Sequence, residues 1–113
     1  MKIISLTRDT LLADNAVLAS NLLSRIIGLL GRKELKPKEA LILTPCNSVH
    51  TFFMRFSIDV IFLDKDNKII ASISRLRPFR ISKIYFRGHT VIELPSGTLE
   101  AVRVEPGDFL RIS

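Results

Sequence analysis

Short runs of β-branched and apolar residues, each cut off by a turn former, dominate this chain: IDVIFLD (58–64), KIIASIS (68–74) and HTVIELP (89–95) are the clearest. Runs of this length and composition make strands, and a strand alternates its side chains between two faces. The same texture recurs at KIISLT (2–7), Ala16–Ala19, Ala40–Leu43, SVHTFFM (48–54) and after the Pro-Gly-Asp turn at 106–108. Turn signals roughly every 8 to 12 residues are the spacing of a sandwich or barrel. Asp64 to Lys68 reads as the polar turn of a hairpin, with Asp66-Asn67 able to take turn dihedrals. One segment has helical period instead. After a Ser20 N-cap, Leu22, Leu23, Ile26, Ile27 and Leu30 fall on one face, and Gly31 stops the run. The expected fold is mainly β: a compact antiparallel β-sandwich or barrel, jelly-roll-like, with one short α-helix near residues 20–31.

A chain of 113 residues with 47% hydrophobic content has the size and core of one domain, here residues 1–113. Its single cysteine makes no internal disulfide. No apolar stretch is long and clean enough to span a membrane; AVLASNLLSRIIGLLG is broken by Asn21, Ser24 and Arg25. The N-terminus lacks the pattern of an export signal, so a cytoplasmic location is expected. Gly-x-Ser-x-Gly, P-loop and His-Glu-x-x-His motifs are absent, and no cofactor is expected.

The net charge is +6, and its distribution is uneven. RLRPFRISKIYFR (75–87) holds Arg75, Arg77, Arg80, Lys83 and Arg87 with no acid, interleaved with Phe79, Tyr85 and Phe86. Cations alternating with aromatics suit phosphates or single-stranded nucleic acid, while a solvated basic loop has the same composition.

The polar residues of CNSVHTFFMRFSIDVIFLD (46–64) are the other candidates. In an extended chain His50, Phe52 and Met54 share one face, with Val49, Thr51 and Phe53 on the other. A Cys46 thiolate activated by His50 would be a nucleophile, although a free cysteine is more commonly a small buried hydrophobe. Cys46, His50 and His89 are too few for a structural zinc site, and a mixed site with Asp59 and Glu93 lacks any metal-ligand spacing, so no metal is assigned. Asp59 and Glu93 each share a strand face with apolar residues. A carboxylate so placed needs a partner, for which Arg25, Arg55 and His50 qualify, or must bind backbone N–H groups. Two such carboxylates also suit acid–base chemistry. ELPSGTLE (93–100) reads as a turn, with an anion nest leading into a helix at Thr98 as the alternative.

Three pieces in fixed order resemble the bacterial and archaeal family known as domain of unknown function 192. They are SRIIGLLGR (24–32), HTFFMRFSIDVIFLDKDNKII (50–70) and VIELPSGTLEAVRVEPGDFLRI (91–112). The resemblance runs from about Val17 to Ile112 and matches at Asp59, Asp64, Glu93, Gly97, Gly107 and Asp108. It departs at Phe53, where the family has tryptophan, and at Phe56-Ser57, where it has Asn-Thr. It implies a sandwich or jelly-roll fold with a short helix and carries no activity.

Three functions are compatible with these residues. The first is a module binding a small ligand, peptide or protein partner through His50, Thr51, Met54, Asp59 and Glu93, beside Cys46. The second is a small enzyme using Cys46 with His50, or Asp59 with Glu93. The third is a nucleic-acid or anionic-surface binder using Arg75, Arg77, Arg80, Lys83 and Arg87.

Overall fold

In the computed structural model the described residues are 1–19, 34–52 and 54–113. The helix expected near residues 20–31, Arg25 and Phe53 lie outside them. Among the described residues eight strands are present: β1 Ile3–Ser5, β2 Thr10–Ala13, β3 Asn15–Ala19, β4 Glu39–Leu43, β5 Ile58–Leu63, β6 Ile69–Leu76, β7 Thr90–Pro95 and β8 Leu110–Ile112. One helical turn, α1, covers Thr98–Ala101. The strands form a three-stranded sheet, β2-β1-β8, and a five-stranded sheet, β3-β4-β7-β5-β6. The mainly β, two-sheet architecture is the one expected from the sequence.

Two details differ from expectation. The sheets are not wholly antiparallel, because β3 and β4 pair in parallel from Asn15–Glu39 to Ala19–Leu43. Parallel neighbours cannot be joined by a tight turn, and β3 and β4 are separated by residues 20–38 in the sequence. The described residues of SVHTFFM do not form a strand; among them only His50 pairs, in a single bridge with Ile81. Its partner segment contains Pro78, which has no N–H, and Phe79 at φ 61°, so no regular ladder can form.

Within the five-stranded sheet β5 and β7 are buried on both faces, which explains why they read as continuous apolar runs. Ile42, Ile61, Leu63, Ile92 and Leu94 pack toward Ile3, Leu12 and Leu110 of the smaller sheet and form the sandwich core. Leu41, Leu43, Ile58, Val60, Phe62 and Val91 point the other way. They are covered by Leu35, Val49, Met54, Tyr85 and other loop residues. The described residues therefore form three layers: small sheet, large sheet and a layer of loops.

The last turn is tied to the start of the chain. Arg8 Nε donates to Asp108 Oδ2 at 2.6 Å, and its guanidinium lies 3.3 Å from Glu105. The Glu105 N–H donates to the same Asp108 oxygen, and Gly107 supplies the positive φ that the turn requires. The Arg8 hydrogen bond holds the Asp108 carboxyl below the usual carboxylate range, against the opposing effect of burial. A carboxyl depressed on folding stabilises above its unfolded pKa, and that contribution fades as pH falls through the folded value. Arg8→Leu is thus expected to lower stability at about pH 7, and the deficit is expected to shrink toward about pH 2 as Asp108 takes up a proton in the parent. Urea melts at the two pH values measure this, and an equal deficit at both would remove the ion pair as its cause.

Candidate functional site

Asp59 and Glu93 sit on adjacent strands but point to opposite faces of the large sheet. β5 and β7 pair with Asp59 opposite Leu94 and Val60 opposite Glu93. Asp59 therefore shares the sandwich face with Ile61 and Leu94, and Glu93 shares the loop-covered face with Val60 and Val91. Both are fully buried. A sheet separates the two carboxyls, so they do not form a pair for acid–base work.

The Asp59 carboxylate is held by the chain's own amides. Oδ1 accepts from the Arg75 N–H at 2.8 Å; Oδ2 accepts from Leu99 at 2.8 Å and Gly97 at 3.2 Å. Each donor depends on a local backbone irregularity. Arg75 occupies a bulge of β6 at φ 56°, which turns its N–H toward β5. Gly97, at φ 96°, opens α1 and aims its own N–H and that of Leu99 at one point. ELPSGTLE thus contains a helical turn rather than a turn alone, and its nest is filled by Asp59. The Arg75 side chain is occupied as well, its Nε bonding Glu100 at 2.7 Å.

The polar residues of 46–54 spread apart. Thr51 is fully buried; its hydroxyl donates to the Arg77 carbonyl at 2.6 Å and accepts from the Arg80 N–H at 2.9 Å. Met54 is buried in the loop-side core, whereas Phe52 is exposed, so these two do not share a face. His50 is half-buried and stacks on Phe52 at 5.1 Å between ring centroids. The Cys46 thiol packs against the same core and donates to the Ser48 carbonyl at 3.0 Å, not to His50. Among the described residues no three His, Cys, Asp or Glu side chains come together, so the mixed set Cys46, His50, Asp59 and Glu93 is not assembled.

What the stretch does build is the base of an arm, residues 77–88. The arm is zipped to 47–51 by backbone bonds: Phe79 N–H to Thr51, Thr51 N–H to Arg80, Ser82 N–H to Val49 and Tyr85 N–H to Asn47. The Ser82 hydroxyl accepts from the Val49 N–H, and the Tyr85 ring lies 4.2 Å from that of Phe62. Gly88 closes the return; a Cβ there would meet the Tyr85 carbonyl at 2.8 Å and Asn47 at 3.0 Å. Thr51, Ser82 and Tyr85 point in. Pointing out are Phe79 and Ile81 (both 69% exposed), Ile84 (53%) and Phe86 (90%). Arg77, Arg80, Lys83 and Arg87 are exposed among them, and among the described residues none of the four is in a salt bridge.

Sequence reasoning found the arm's charges but missed its anchors, Asn47, Ser82, Tyr85 and Gly88. The available signal was Pro78 and Gly88 bracketing a segment in which small or hydroxylic residues interrupt the large apolar ones.

Comparison with known proteins agrees with this fold. The family described as DUF192, Uncharacterized ACR, matches residues 4–112, starting earlier than the resemblance drawn from Val17. A UPF0127 protein of Pyrococcus furiosus is 40% identical over 98 residues, covering 81% of each chain. One of Pyrococcus horikoshii is 36% identical over 100 residues, covering 83% of this chain and 84% of its own. Among solved structures, a protein of unknown function from Novosphingobium aromaticivorans superposes with TM-score 0.80 at 18% identity, covering 98% of this chain and 82% of its own. A Sinorhizobium meliloti protein, provisionally described as a transcription regulator, gives TM-score 0.79 at 21% identity over 97% and 89%. At these identities the two structures speak for the fold alone.

Proposed function

This chain belongs to the domain of unknown function 192 family, and from that premise we propose that it is a binding module whose contact surface is the 77–88 arm and whose partner is polyanionic. One observation carries the reading: four exposed cations, Arg77, Arg80, Lys83 and Arg87, share a pinned arm with four exposed large apolar side chains. Cations on a fixed scaffold neutralise an anionic partner with less ordering cost than cations on a free tail. The residues first considered as a ligand pocket lend less support. The polar groups of Asp59 and Thr51 are engaged by backbone, and Met54 is core. Among the described residues no helix is long and apolar enough to cross a membrane.

Retention on immobilised heparin tests this. The protein is expected to bind at low salt and elute as salt rises. The fourfold variant R77Q/R80Q/K83Q/R87Q is expected to bind about tenfold more weakly or worse, because each lost contact removes a counterion-release contribution. Co-elution of the variant with the parent would end this reading.

A further inference from the structure

We propose that the polyanion is an anionic lipid surface, and that Phe79, Ile81, Ile84 and Phe86 enter the boundary between headgroups and acyl chains. This deepens the polyanion reading and rests on it.

Two features favour lipid. The exposed apolar set includes two isoleucines as well as two phenylalanines. A base stacks on an aromatic face, and a branched aliphatic side chain offers none, whereas an acyl layer receives both kinds equally. The cations also alternate with the apolar residues along the arm. Arginine and lysine lay their stems along apolar surface and keep the charge at the headgroups.

The test is co-sedimentation of the full chain with vesicles of phosphatidylcholine alone or mixed with phosphatidylglycerol, beside binding to a single-stranded oligonucleotide and to heparin. Two variants are compared: F79N/F86S, in which asparagine tolerates the positive φ at position 79, and R77Q/R80Q/K83Q/R87Q. All these positions are exposed, and melting curves are to be recorded to check that both variants fold. The expected result is binding to the phosphatidylglycerol vesicles only. F79N/F86S should weaken it about a hundredfold, roughly tenfold for each aromatic side chain no longer buried, while leaving heparin retention nearly unchanged. The inference is overturned if F79N/F86S sediments as the parent does. It is also overturned if the parent ignores vesicles but binds the oligonucleotide in a way that F79N/F86S weakens. Heparin retention without vesicle binding removes the lipid inference and leaves the polyanion reading in place; loss of both removes both.

Discussion

Replacing Asp59 by alanine is expected to cost about 3–5 kcal/mol of stability, since it leaves three inward-facing backbone donors without their acceptor. The donors are the N–H groups of Arg75, Gly97 and Leu99, brought from the β6 bulge and the start of α1 to one buried carboxylate. Asp59→Asn is the sharper variant. Its volume is unchanged, but it turns an NH2 toward amide donors, so a large part of the same loss should remain. Urea denaturation gives the number. Heparin retention of the folded Asp59→Asn protein should equal that of the parent, because the arm lies on the other side of the sheet. An asparagine variant of parental stability that had lost heparin retention would return Asp59 to the binding machinery.

Phe62→Ala should destabilise by about 3–5 kcal/mol, the usual range for emptying a phenylalanine site in a packed core. Phe62 is fully buried in the middle of the large sheet, on the face that meets the loop layer. Its ring lies 4.2 Å from that of Tyr85, whose N–H is bonded to Asn47 at the base of the arm. The cavity would therefore open beneath the arm rather than between the two sheets. Backbone hydrogen exchange in 79–85 should accelerate in Phe62→Ala beyond the change seen in β1 and β8, which face the other core. Phe62→Leu keeps most of the volume and should cost less than half as much. Equal acceleration on both faces would mean that the two cores unfold as one unit.

The same two residues mark how far the sequence could be read. That Phe62 and Asp59 face opposite ways follows from the two-residue period of IDVIFLD, and the structure places them so. The hairpin was equally legible: Asp64 accepts from Asp66 and Lys68 within five residues, and Asn67 takes the positive φ. Asp59 as a buried carboxylate needing partners was also visible, but the partners were not. They lie 16, 38 and 40 residues away along the chain.

The basic strip shows the same division. Composition gives five cations between 75 and 87, yet Arg75 is claimed by Glu100, leaving four on the arm. Likewise SVHTFFM has the residues of a strand, yet among its described residues only His50 pairs, in one bridge with Ile81. Backbone geometry sets strand period, tight turns and the need to satisfy a buried charge, and these are local or pairwise rules that the chain states in its own order. The packing of the loop layer on the large sheet sets which amide meets which carboxylate, which cation is neutralised, and which apolar side chains stay in water. Those outcomes depend on contacts between segments far apart in sequence, and they existed only once the tertiary structure had formed.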